Sequence, residues 1–220
     1  MTNAPLVLGF DTSGPWLWVL LLSGQDVLSD HHVDMPKGQA EALFPALEDA
    51  LAKGGAGWSD LDAIGVGIGP GNFTGIRISV AAARGLALSL EIPAIGVSIL
   101  EAAAYGQDSP VLATRDAPRG QAYVQGFDMD TPLGPDLMAI DEIDTGLMEP
   151  GLVCVGTAAK AVAAQIGAPA VPATFAPASA IARIAATRWR EDTPPPAPLY
   201  LKPADAAPSR DAPPVILDDA

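Results

Sequence analysis

The chain opens with two short apolar runs, residues 6–10 and 16–22, and a third, mixed run over 27–33, separated by the polar turn Asp11-Thr12-Ser13-Gly14 and by Ser23-Gly24-Gln25-Asp26. Apolar runs of this length between turn residues predict strands, and connections this short predict antiparallel hairpins. Leu43, Leu47, Ala50 and Leu51 then fall on one stripe and predict a helix over residues 39–52, ended by Gly54 and Gly55. Residues 61–68 and 92–97 read as two further strands. Ser98 followed by Glu101 has the spacing of a capping box and predicts a short helix to residue 104. The first half therefore reads βββαβα, followed by one more strand and helix.

The second half repeats this order without repeating the sequence. Strands are expected over 111–114, 121–128 and 137–140, a helix over 142–148, a strand over 152–155, a helix over 158–166 and a strand near Val171. Ser179 is placed to cap an amphipathic helix running to Trp189. From Thr193 the chain is rich in proline and cannot continue a helix, although Leu199, Tyr200 and Leu201 are expected to be pinned to the body as an extended piece. The expected organisation is an N-terminal lobe over 1–104, a C-terminal lobe over 105–192 and a partly irregular tail over 193–220.

The most distinctive stretch is GIGPGNFTGIRISVAAARGLAL, residues 67–88. It predicts a strand end, a glycine-rich turn and a long helix of small residues. Thr74 is a candidate cap, and Gly75, Ser79, Ala83 and Ala87 recur every four residues as a shallow face that another backbone could approach. Such a turn suits a phosphate cradle, a tight turn beneath a closely packed helix, or a helix that docks another chain. No GK[ST] follows, so the Walker lysine is missing, and no acidic ribose-binding residue sits in a matching βαβ context.

Composition narrows the field. With 49% hydrophobic residues and a mean hydropathy of +0.27, the 220-residue chain has ample material for a core. A formal net charge of −14 argues against extensive direct contact with nucleic-acid phosphates. The single cysteine, Cys154, lies in an apolar run and excludes an intrachain disulfide framework. The N-terminus lacks the basic start and apolar core of a signal peptide, and the run over 17–22 is too short to span a bilayer. A cytoplasmic location without membrane contact is expected.

No catalytic constellation emerges. His31 and His32 alternate in a strand and face opposite ways, so they do not share a metal easily. Ser13 beside Asp11 has no identifiable third residue to orient it. Asp60, Asp62 and Asp116 read as loop carboxylates.

A tandem βββαβα order is the plan of sugar kinases, acetate kinase, actin and the Hsp70 ATPase lobes, the two-lobed actin-like ATPase fold. The segments LGFDTSG, LDAIGVGIGPGNFTGIRISVAAARGLAL, IPAIGVSILEA, RDAPRGQAYVQGFD and PLYLKPADA resemble the TsaB family, also called YeaZ. That resemblance implies a non-catalytic subunit that binds TsaD, with TsaE engaging the assembly, in the formation of N6-threonylcarbamoyladenosine on tRNA. It implies that tRNA is met only through the complex; no cofactor is expected, and the apolar surface that meets TsaD, left without its partner in isolation, is expected to close a symmetric homodimer. The implied partner interface is the two long N-terminal helices, with Leu43, Phe44, Arg77, Val80, Ala81 and Arg84 as contacts. The related catalytic subunit carries a metal site on His-x-x-x-His, where this sequence has Gln39 and Leu43, so no metal is expected. Asn72 stands where the family usually has Ser, and Pro118 interrupts the family's Asp-Ala-Arg run. An alternative within the same fold is a weak ATP-binding phosphotransferase, with a degenerate nucleotide loop of Asp11, Thr12, Ser13, Gly69, Gly71 and Asn72. A glycoprotease-like peptidase is the third reading, without metal ligands or a nucleophile triad to serve it.

Overall fold

The computed structural model of the chain describes residues 4–201. The three opening strands form as the alternation requires: β1 (Leu6–Asp11), β2 (Trp16–Ser23) and β3 (Asp26–Asp34) pair antiparallel. Helix α1 (Gln39–Lys53) follows, then β4 (Ala63–Gly67), α2 (Phe73–Leu90), β5 (Ala94–Val97) and α3 (Ile99–Ala104). Strands β4 and β5 are parallel additions on the far side of β1, giving the sheet order β3-β2-β1-β4-β5. A second sheet, ordered β8-β7-β6-β9, is built from β6 (Val111–Ala117), β7 (Gln121–Phe127), β8 (Asp136–Ala139) and β9 (Val153–Gly156). Helices α4 (Ala159–Ile166) and α5 (Pro177–Arg188) complete the described chain.

Both sheets thus begin with an antiparallel meander and add a parallel strand next to the first, the same topology twice over. The second copy is abbreviated. Where a helix over 142–148 is expected, two single 3₁₀ turns stand instead, Ile140–Glu142 and Thr145–Leu147. Asp144 is the cause, because its carboxylate accepts from the Gly146 amide at 2.8 Å and so competes with a helical continuation. The expected strand near Val171 reduces to one isolated bridge between Cys154 and Ala170.

The first sheet has helices on both faces. Leu8, Phe10, Leu17 and Ile64 meet Leu43, Leu47, Leu51 and Ala83 of α1 and α2 on one side. On the other, α5 lies so close to β1 and β4 that a Cβ on Gly9 would fall 2.7 Å from the Ala182 Cβ, and one on Gly65 2.9 Å from the Ala185 Cβ. Glycine on the strands and alanine on the helix allow that approach. Helix α5 follows the second sheet in the chain yet packs on the first, with Val7, Leu20 and Ile95 among its neighbours. Its start is also set by a different residue from the expected Ser179. Ala176 is the capping position and Pro177, pre-set for helical φ, opens the helix, while the Ser179 hydroxyl accepts from Arg183 at 3.4 Å.

Helix α2, at eighteen residues, has the length and apolarity of a membrane span. Here Gly75, Ile76, Ser79, Val80 and Ala83 are its buried side, against the sheet.

Candidate functional site

Two features stand out: the cleft between the sheets and the outward face of α1 and α2. The cleft is floored by the turn after β1 and by the glycine turn before α2. Asp11, Thr12 and Ser13 are fully buried there. The Asp11 carboxylate accepts from three of the protein's own donors: the Ser13 amide (3.1 Å), the Ser13 hydroxyl (3.1 Å) and the Trp16 indole N–H (2.7 Å). The Thr12 hydroxyl donates to the Gly75 carbonyl at 2.7 Å.

The two turns touch directly. A Cβ on Gly75 would overlap the Thr12 carbonyl, and one on Gly71 would overlap that of Ser13. The Asn72 amide donates to the Ser13 carbonyl at 2.7 Å. The glycines at 71 and 75 therefore serve close approach of two segments of the same chain. The expected cap, Thr74, is exposed; Asn72 caps the helix instead, accepting from the Gly75 amide at 2.9 Å. Gly69, with φ +96°, lies against the Ile76 side chain and the Leu199 carbonyl.

Arg115 closes this floor from the second sheet. Its Nη2 donates to the Ser13 carbonyl at 2.9 Å and its Nη1 to the Ser13 hydroxyl at 3.2 Å. The guanidinium is almost wholly buried and sits 5.3 Å from the Trp16 ring centroid. Burial lowers its pKa from the ordinary arginine value, while Asp11, Tyr123 and Asp116 pull it back up. Sequence spacing did not bring Arg115 to this turn, since 102 positions separate it from Ser13 and only the facing of the two sheets joins them.

Above this floor a cavity of about 820 Å³ remains, walled by Pro15, Pro70, Phe73, Arg115, Tyr123 and Tyr200 among others. A separate pocket of about 250 Å³ lies on the other side, and Arg115 lines both. Gln39, at one position of the related metal motif, uses its amide N–H on the Met35 carbonyl at 2.7 Å, and Leu43 at the other is in the core. No group of three or more His, Cys, Asp or Glu side chains gathers as a metal site among the described residues. His31 lies 3.8 Å from Asp49 of α1, while His32 stacks on Trp18 with ring centroids 4.0 Å apart, so the two histidines do face opposite ways.

The six candidate contact residues on α1 and α2 divide by burial. Leu43 (1% exposed) and Val80 (4%) face the core and support the surface from beneath. Phe44, Arg77, Ala81 and Arg84 are exposed. Between the two helices runs an open groove of about 480 Å³ lined by Leu43, Phe44, Ile78, Ala81, Ala82 and Gly85. The shallow column of α2 points elsewhere than toward a docking chain: Gly75, Ser79 and Ala83 are buried, and the Ser79 hydroxyl donates to the Gly67 carbonyl at 3.2 Å. The backbone that approaches the column is the chain's own. Phe73 and Leu88, large apolar side chains that add to the exposed face, were not singled out by sequence; the i, i+4 spacing of Phe73, Arg77 and Ala81 was the available signal for the first, while Tyr200, expected to be pinned to the body, packs on Phe73.

Comparison with known proteins places this geometry. A family model described as TsaD, tRNA N6-adenosine threonylcarbamoyltransferase, matches residues 35–145, half of the chain. A Mycobacterium tuberculosis protein carrying only an uncharacterised label is 34% identical over 206 residues, 92% of this chain and 94% of its own length. Escherichia coli TsaB, named a tRNA threonylcarbamoyladenosine biosynthesis protein, is 35% identical over 129 residues, 56% of this chain and 55% of its own. The solved structure of YeaZ from Pseudomonas aeruginosa superposes with a TM-score of 0.73 at 27% identity, covering 90% of this chain and all of that one. This chain belongs to the TsaB (YeaZ) family. Family membership accounts for the two-sheet topology, which is the actin-like ATPase architecture. The activator of the 2-hydroxyisocaproyl-CoA dehydratase from Clostridium difficile, solved with bound ADPNP, has the same fold at 12% identity and a TM-score of 0.52, over 84% of this chain and 96% of that one.

Proposed function

We propose that the chain is a non-catalytic subunit in the biosynthesis of N6-threonylcarbamoyladenosine on tRNA, acting in the cytoplasm by binding TsaD. The observation that carries this reading is the exposed apolar groove between α1 and α2, lined by Phe44, Ile78, Ala81 and Ala82 with the buried Leu43 at its base. Its place in the family supports the pathway, since the Escherichia coli and Bacillus subtilis TsaB relatives are both named for it. An acidic chain of net charge −14 meets tRNA indirectly, through a partner that carries the basic surface.

The closed cleft floor supports the absence of catalysis. In the actin-like plan the turn after the first strand faces a nucleotide phosphate, and a phosphate needs free amides there. In this chain the Ser13 amide is spent on Asp11 and the Asn72 amide on the Ser13 carbonyl, with the Arg115 guanidinium laid across them. That arrangement disfavours the phosphotransferase reading. In isolation the α1/α2 face pairs with a second copy of the chain, and TsaE joins once TsaD is in place.

The test is size-exclusion chromatography with light scattering on the chain alone and mixed with TsaD of the same organism. A mixed complex that replaces a self-paired dimer is the expected result. Separate elution at micromolar concentration, with nucleotide present, would overturn the reading.

A further inference from the structure

The last described segment of the chain crosses the first lobe as a strap. Pro196 is buried, with its Cβ 3.2 Å from the position a Cβ on Gly96 would take, and the Leu199 amide donates to the Ile68 carbonyl at 2.8 Å, so the strap is fixed at two points. These anchors deliver Tyr200 to the start of α2. There its ring packs on Phe73 with centroids 4.8 Å apart, and its hydroxyl accepts from the Arg77 Nε at 2.9 Å. The Arg77 guanidinium carbon stands 3.7 Å from the Phe73 ring centroid. The side chain is thus held over one ring and tied to the hydroxyl of another.

Among the described residues the cation has no anion beside it. Its Nη groups make no hydrogen bond and no ion pair among the described residues. Arg84, seven residues along the same exposed stripe, makes none either. From Phe73 to Leu90 the helix has no acidic residue, in a chain whose net charge is −14. Two arginines two helical turns apart, on an otherwise apolar stripe, form a local positive surface on an acidic protein. A long flexible side chain costs less to bind when it is already ordered.

We propose that Tyr200 holds Arg77 as a preformed carboxylate receptor at one end of the docking face, so that the strap is part of the partner interface and the partner presents carboxylates to Arg77 and Arg84. This rests on the docking reading above and adds its specificity: a bidentate anion site beside an aromatic pair on the exposed side of α2. Arginine and tyrosine are the residue types that dominate such interfaces when desolvated.

The experiment is titration of TsaD into the purified full-length chain by calorimetry at two salt concentrations. Tyr200→Ala is expected to weaken binding at least tenfold, and Tyr200→Phe, which keeps the ring, less than Tyr200→Ala. The double variant Tyr200→Ala with Arg77→Ala is expected to bind no more weakly than Arg77→Ala, because the two residues act as a unit. Arg84→Ala, which disturbs no internal contact, is expected to flatten the salt dependence. Wild-type affinity in Tyr200→Ala together with an unaltered salt dependence in Arg84→Ala overturns the proposal. Phe44→Glu separates the two readings, since it abolishes binding if the α1/α2 face docks the partner at all, whatever Tyr200 does.

Discussion

Arg115, on the first strand of the second sheet, donates to the main-chain oxygen of Ser13, in the turn after the first strand of the first sheet, at 2.9 Å. The two residues are 102 positions apart, and the bond sits at the floor of the cleft where this architecture elsewhere holds a nucleotide. A protein cation spans from one sheet to the other there. Because the guanidinium is 7% exposed, its loss leaves buried acceptors without a donor. Arg115→Ala is expected to lower stability by about 2 kcal/mol, in the range for leaving buried acceptors without their donor. Urea denaturation followed by the fluorescence of the four tryptophans, of which Trp16 lies beside Arg115, reads this.

Gly75 has no room for a side chain, since a Cβ would overlap the Thr12 carbonyl. Gly75→Ala must therefore push α2 off the turn after β1, at a cost of roughly 2–3 kcal/mol. A thermal melt checks it. A melt unchanged from wild type would mean that the two turns are not in contact.

The plugged floor makes a prediction about nucleotides. Calorimetric titration of magnesium-ATP into the purified chain is expected to be flat to millimolar concentration. Measurable heat of binding with a one-to-one stoichiometry would revive the phosphotransferase reading.

Burial separates the α2 positions that dock from those that fold. Ala81→Glu, at an exposed site, is expected to abolish partner binding and leave the circular dichroism melt within a few degrees of wild type. Val80→Glu, one residue earlier and 4% exposed, is expected to unfold the chain, because it places an unpaired carboxylate in the core.

Cys154 gives an alkaline signature. Burial pushes its thiol up to about 11, so between pH 9 and 11 the unfolded chain releases a proton that the folded chain keeps. Stability is then undiminished below pH 9 and falls as pH rises toward 11, by about 1.4 kcal/mol per unit at most. A Cys154→Ala variant is expected to lack that slope in denaturation curves measured across this range.

The local pattern was enough for most of the architecture. Alternation of apolar runs and turn residues set out β1 to β3, the 3.6-residue stripe of Leu43, Leu47 and Leu51 set out α1, and the glycine-rich run from Gly67 announced both a tight turn and a small-residue helix. GPGNFTGIRI pointed to the TsaB family before any coordinates. These are properties of neighbouring residues, and neighbours alone determine period and turn chemistry. Tertiary structure decided which partner each surface met. The column of Gly75, Ser79 and Ala83 is compatible with any close backbone, and only the packed lobe shows that backbone to be the turn holding Thr12. Spacing on a helix does not say which side faces a core, so for Leu43 and Val80 a core position and a contact position stayed equally open until the sheet took up one side of each helix and buried both. The Ser13–Arg115 bond and the Tyr200–Arg77 clasp join residues more than a hundred positions apart, and such pairings arise from the meeting of elements whose separate patterns carry no trace of one another.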